Sequence, residues 1–199
     1  MAKLARAWKP ATAALLAAAA LTTAAGCSSG SETSVPAGDT KPGTTLPFGT
    51  MATVRIGQDK GAAAEGITVL DVTKANMSDF QQLQHPEQVA GKAAYYVHYR
   101  ITKTDAVATT GIQAEDLILG SDPDHLLGGM NVLNFNPFDD TPNFPCEPAL
   151  TEHLNNQPAG STLDGCAIFL QDAGDTSAVK AMWVGQSVQD YEKKPIVWQ

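Results

Sequence analysis

From Ala93 to Lys103 the chain alternates: Tyr95, Val97, Tyr99 and Ile101 fall on one side of an extended backbone, Tyr96, His98, Arg100 and Thr102 on the other. A period of two is the signature of a strand with one face on a core. So long a run predicts a central strand, and whatever this chain folds into must cover its apolar face. Neighbouring stretches supply partners. Thr50–Ile56 is a first strand; Gly66–Thr73 places Ile67 and Val69 on one face and Thr68, Leu70 and Val72 on the other. Asp116–Leu119 and Leu126–Leu133 flank the turn Gly120-Ser121-Asp122-Pro123-Asp124, and Gly165–Gln171 sets Cys166, Ile168 and Leu170 on one face. Val179–Val184 and Pro195–Trp198 complete the set.

Helix is scarce. Ser78-Asp79-Phe80-Gln81 has the form of a capping box and predicts one short helix over Ser78–Gln84, ended by Pro86. Between Asn134 and Gly160, Pro137, Pro142, Pro145, Pro148 and Pro158 each lack an amide hydrogen and forbid a continuous ladder. Seven or eight short strands, turn-rich connections and little helix predict an all-β fold, a β-sandwich with a barrel as the alternative.

The N-terminus has another composition. Met1–Pro10 carries Lys3, Arg6 and Lys9 and no acid, and Ala11–Leu21 is apolar apart from Thr12. This is the build of an export signal, too short for the roughly 20 apolar residues of a membrane span. Arg6 and Lys9 are no twin-arginine pair, so the general secretory route is expected. The run Leu21-Thr22-Thr23-Ala24-Ala25-Gly26-Cys27 resembles a bacterial lipobox, with Ala24 where such a box usually has leucine. It implies a signal peptide over residues 1–26 and lipid on Cys27; a plain signal peptide cut within the Ala-rich run is the alternative. Residues 27–48, rich in Ser, Thr, Gly and Pro, cannot bury enough apolar surface to fold and are expected to form a disordered tether. The remaining 49–199, about 150 residues, suffice for one domain with a proper core.

Charge and cysteine count bear on partners and compartment. The chain has 13 basic and 21 acidic residues; removing Lys3, Arg6 and Lys9 leaves ten basic against 21 acidic, a net charge of −11. Such a field argues against nucleic acid and against charge-driven adhesion to anionic lipid. Once Cys27 takes lipid, Cys146 and Cys166 remain as a pair in an oxidising compartment. A disulfide closing that loop would stabilise the fold by about 3 kcal/mol. A metal site is the competing reading, but neither thiol has a CxxC partner or clustered histidines nearby.

The succession Gly91-Lys92-Ala93-Ala94-Tyr95-Tyr96-Val97, Cys146, Gly160-Ser161, Cys166-Ala167-Ile168-Phe169-Leu170 and Pro195-Ile196-Val197-Trp198 resembles the actinobacterial immunoglobulin-like surface lipoproteins over roughly Gly66–Gln199. The resemblance implies a secreted immunoglobulin-like β-sandwich with Cys146 paired to Cys166. It brings no catalytic residues and no cofactor.

Candidate chemistry is sparse. His85, His98, His125 and His153 form no H-x-x-H cluster. Tyr96, His98 and Arg100 share the less apolar face of the central strand and form a candidate binding face; a cross-strand pair under a loop explains them as well. Asp122, Asp124, Asp139 and Asp140 are weak calcium candidates if their loops converge, although Asp-Pro-Asp is ordinary turn chemistry. Trp183, Tyr191 and Trp198 suit a sugar-stacking shelf, or core filling by the two tryptophans with Tyr191 in a turn. Gly26-Cys27-Ser28-Ser29-Gly30 matches the G-x-S-x-G of serine hydrolases, but a cleavage site precedes it and a tether follows, so the strand and helix that expose such a serine are missing. The sequence therefore leads to a lipid-anchored, extracytoplasmic domain that binds an envelope protein, polymer or lipid without transforming it. The alternatives are an envelope hydrolase in which His98 works with a loop acid, and a lipid- or solute-binding lipoprotein. A transporter's substrate-binding subunit is disfavoured, since it needs two lobes.

Overall fold

The computed structural model describes residues 38–55, 64–82, 86–104, 116–130, 144–185 and 191–199. The strands are β1 (Thr45–Leu46), β2 (Met51–Arg55), β3 (Ala64–Lys74), β4 (Lys92–Lys103), β5 (Leu117–Asp122), β6 (His125–Leu126), β7 (Gly128–Met130), β8 (Thr162–Asp172), β9 (Lys180–Trp183) and β10 (Ile196–Trp198). They form two sheets, one in the order β1-β10-β9-β5-β6 and the other β2-β3-β4-β8-β7. Ala52, Val54, Ile67, Val69, Val97, Tyr99 and Ile101 from the second sheet pack with Leu117, Leu119, Trp183, Ile196 and Trp198 from the first. The fold is all-β and two-layered, with the expected face of β4 on the core.

Three expectations are corrected. The single strand read at Leu126–Leu133 divides at Leu127: β6 pairs with β5, whereas β7 pairs with β8 of the other sheet. Residues 131–133 lie outside the described ones. The short helix is instead a 3-10 turn over Met77–Gln82, and Pro86 opens a second one, Pro86–Val89. Asn76, not Ser78, supplies the cap, its side-chain oxygen accepting from the Ser78 amide at 3.1 Å. The end of the presumed tether is part of the sheets: β1 runs parallel to β10, and Thr40 exchanges hydrogen bonds with Thr53. Tyr191 also donates its hydroxyl to the Thr40 carbonyl at 2.7 Å. The composition is tether-like, but these long-range partners satisfy its backbone groups.

A fourth difference shapes the site. In β3 the pairing shifts between Val69, opposite Tyr99, and Asp71, opposite His98. Leu70 is the extra residue of a β-bulge. The bulge reverses the alternation, so Val72 joins Ile67 and Val69 on the core side and does not face away with Thr68.

The proline-rich segment closes over β8. β7 pairs with β8 only between Gly128–Leu170 and Met130–Ile168. Beyond that, the Cys166 amide donates to the Glu147 carbonyl at 2.7 Å, so residues 144–150 lie along the strand edge like a strap. The Ala149 amide donates to the Tyr99 hydroxyl at 3.1 Å. Cys146 and Cys166 form a disulfide, Cα–Cα 5.0 Å, and belong with Phe80, Val89, Ala94, Tyr96 and Ile168 to a second apolar cluster. A third 3-10 turn, Thr151–Leu154, is fixed by buried Lys103, whose ammonium donates to the carbonyls of Leu154 (3.1 Å) and Asn155 (2.9 Å).

Gly165 tests the strap's fit. A Cβ there would lie 2.6 Å from the Ala149 nitrogen and 2.7 Å from Cζ of Tyr99. Gly165→Ala is expected to destabilise the domain by about 1–3 kcal/mol through overpacking. The urea midpoint measures it; an unchanged midpoint would show that the strap does not rest there.

Candidate functional site

The face of β4 opposite the core carries Tyr96, His98 and Arg100, as the period of two requires. On one side stand Thr73, Asp71 and Thr68 of β3; on the other, Ile168, Cys166 and Asp164 of β8. The bulge decides one of these neighbours. Without the extra residue, the register running through Val69 and Tyr99 would set Leu70 against His98; with it, Asp71 stands there.

Each of the three polar side chains meets a carboxylate. His98 Nδ1 is 2.6 Å from Oδ1 of Asp71. Arg100 engages Asp164 through two bonds, Nε to Oδ1 at 2.6 Å and Nη2 to Oδ2 at 2.8 Å, the fork geometry that suits a carboxylate. Tyr96 donates its hydroxyl to Oδ2 of Asp79 at 2.9 Å. Tyr96 is not part of an open ledge: it is buried, with Phe80 and Phe144 at ring-centroid distances of 6.2 Å each and His98 at 6.3 Å. Burial first, and then Asp79, push its phenol far above the ordinary range. The candidate binding face is therefore a set of internally paired groups, partly under a loop.

The carboxylate partners Asp71, Asp79 and Asp164 escaped sequence reasoning. Asp164 was within reach of it, since it shares the period-two face of Cys166. Asp71 depends on the bulge, and Asp79 on a turn folding back over the sheet. Chemically, an imidazole held by a carboxylate is the orienting half of an acid–base site. The neighbour that would act as nucleophile, Cys166, has its sulfur in the disulfide.

The other candidates are dispersed. Cys27 lies outside the described residues, as do His85, Asp139 and Asp140. Asp122 does not join a ligand set: Oδ1 accepts from the Asp124 amide at 3.0 Å and contacts His125 Nδ1 at 2.8 Å, so the turn itself uses the carboxylate. Those contacts, the His125 bond foremost, hold the Asp122 carboxyl below its ordinary value, and Asp122 in turn raises His125. Among the described residues no group of three or more His, Cys, Asp or Glu side chains is placed to hold a metal ion. His153 is exposed on the third 3-10 turn. Trp183, Tyr191 and Trp198 make no sugar shelf, because all three are buried in the core, Tyr191 included. The Trp198 indole donates to the Thr50 carbonyl at 2.8 Å, and burial together with Asp39 pushes the Tyr191 phenol up to about 12. Among the described residues no helix is long and apolar enough to cross a membrane.

Arg100 and Asp164 are 42% and 58% exposed, so solvent screens the pair despite its geometry. A double-mutant cycle with Arg100→Ala and Asp164→Ala is expected to give about 0.2–1 kcal/mol. The Arg100 hydrogen bonds hold the folded Asp164 carboxyl below its ordinary 3.8. The contribution is therefore complete above that value and lost as pH falls through the lower, folded one. Chemical denaturation of Asp164→Asn and wild type across acid pH checks this: the stability difference should shrink toward zero below 3.8. A difference that grows on acidification would contradict it.

No family model matches the sequence, and no curated protein matches it. Among solved structures, the chain is similar to ycdA, a candidate lipoprotein of Bacillus subtilis, at 11% identity and a TM-score of 0.42. The match covers 74% of this chain and 37% of that one, so the chain spans little more than a third of that protein's length.

Proposed function

We propose that this is a lipid-anchored protein of the bacterial envelope whose β-sandwich is displayed outside the cytoplasm and binds an envelope component without transforming it. The observation that carries the reading is the Cys146–Cys166 disulfide. It fits an oxidising compartment, and it uses two of the three cysteines, leaving Cys27 as the odd one at the end of the lipobox-like run. Two or more acyl chains on that residue would anchor the chain durably. Residues 28–37 would then separate the lipid from the sheets.

The reading places the domain with the actinobacterial immunoglobulin-like surface lipoproteins. Two packed, largely antiparallel sheets support it. The crosslink differs from that of antibody domains, where the disulfide bridges the two sheets; here it lies on the outer side of one sheet. The immunoglobulin-like assignment therefore rests on the sandwich and on the order of sequence motifs. A binding role is favoured because Tyr96, His98 and Arg100 are each paired with a carboxylate, and among the described residues of this face the cysteine beside His98 is held in a disulfide.

Cell fractionation and intact mass of wild type and Cys27→Ser test the proposal. Wild type is expected in the membrane fraction with lipid mass on residue 27, and the variant is expected to lose that mass. Material correctly cleaved at residue 27 but carrying a bare thiol would overturn the reading.

A further inference from the structure

A binding role makes no use of one alignment on the outer face. Asp71, His98 and Cys166 occupy facing positions on three adjacent strands. Directly opposed residues of a sheet have Cβ atoms about 4.5–5.5 Å apart, within side-chain reach. A carboxylate only accepts, so the 2.6 Å contact with Asp71 fixes the hydrogen on Nδ1 of His98. In the neutral ring this leaves the lone pair on Nε2. An imidazole so oriented beside a sulfur is the environment that favours thiolate over thiol, and thiolate is the form that exchanges disulfides.

A second observation concerns the other sulfur. Cys146 sits on the strap, whose hydrogen bonds to the sheet among the described residues are few: the Cys166–Glu147 backbone bond and the Ala149–Tyr99 bond. Pro145 and Pro148 offer no amide hydrogen there. Glu147 and Leu150 are exposed. Phe144 and Ala149 pack against the two apolar clusters, but a segment held by so few backbone hydrogen bonds opens locally at less cost than a core strand. Opening would bring the buried disulfide to solvent while the β3–β4–β8 ladder stays paired.

We propose that the Cys146–Cys166 disulfide is an exchangeable clasp whose reaction partner is a dithiol, with His98 as the acid–base group at Cys166 and Asp71 positioning His98. A thiolate of the dithiol attacks Sγ of Cys146. The new S–S bond forms as the Cys146–Cys166 bond breaks, and the electron pair leaves on Cys166, which takes a proton from the protonated imidazole. The second thiolate of the dithiol then attacks its own partner's sulfur in the mixed disulfide and releases Cys146, which is protonated from solvent. His98 regains its proton from solvent, so two electrons from the dithiol and two protons from solvent pass to the protein, and the dithiol departs as a disulfide. In reverse, Nε2 accepts the Cys166 proton and the strap is sealed. The groups facing His98 are Asp71 from β3, Tyr96 and Arg100 along β4, and Cys166 with Asp164 from β8. Arg100 offsets Asp164, and Tyr96 holds Asp79 of the first 3-10 turn.

The test uses the full chain, as wild type, His98→Gln and Asp71→Asn. Native reduction by dithiothreitol is followed first. The pH profile of iodoacetamide alkylation is then read separately for the Cys146 and Cys166 peptides of the reduced protein, with circular dichroism reporting the fold. Dithiothreitol is expected to reduce the folded wild type. Cys166 should alkylate half-maximally below the ordinary thiol value of about 8.5. In His98→Gln the profile should move up, slowing the reaction near neutral pH about tenfold; Asp71→Asn should shift it in the same direction. A disulfide reduced only when the sandwich unfolds, or one Cys166 profile shared by all three proteins, would overturn the proposal. If His98→Gln fails to fold, Asp71→Asn, which alters a half-exposed carboxylate, decides alone. A bare Cys27 would sink the proposed address and leave this result untouched.

Discussion

The ladder that β4 makes with β3 and β8 is the interaction on which the rest of the structure depends. β4 is bonded along nearly its whole length on both sides, from Lys92 opposite Asp172 to Thr102 opposite Thr162. Its two faces then organise two different layers. Val97, Tyr99 and Ile101 hold the sandwich core, while Ala94 and Tyr96 anchor the smaller apolar cluster under the turns and the strap. A strand that must serve two layers cannot slip by one residue, because the slip would exchange its faces.

Edges explain much of what surrounds that ladder. An unpaired strand edge invites pairing with other chains. Here Thr40 covers β2, and Glu147 covers β8 where β7 stops. Beyond Thr68, where β2 ends, the bulge and the charged residues Asp71 and Lys74 interrupt the remaining edge of β3. The disulfide belongs to this arrangement. It fastens a proline-rich strap that has no ladder of its own, and one of its two cysteines is Cys166, the residue opposite His98 in the β4–β8 register. One covalent bond thus joins an edge cover to a candidate reactive row.

The alternation of β4 was legible because each apolar residue recurs at a strict interval of two, and the core it predicted is the observed one. The bulge was less so. Val69 and Leu70 stand side by side in Gly66–Thr73, and adjacent apolar residues satisfy either face until a partner strand fixes the register. Thr40 and Thr45–Leu46 were unreadable for a different reason. Their composition is that of a tether, and their order comes from Thr53, Tyr191 and β10, far away in the chain. Asp71, Asp79 and Asp164 were missed as partners because pairing across strands is not a local property, although Asp164 could have been placed by its spacing from Cys166. Asp122 shows the reverse: Asp-Pro-Asp reads as turn chemistry, and the turn does use the carboxylate.

The outer face of the β3–β4–β8 ladder depends on the pairing across the bulge in β3, and cross-strand nuclear Overhauser contacts between β3 and β4 measure it most directly. Contacts joining Asp71 to His98 and Val72 to Val97, with Leu70 lacking a partner, are the expected result. Contacts placing Leu70 opposite His98 and Val72 opposite Tyr96 would remove the bulge, return Val72 to the outer face and contradict the account.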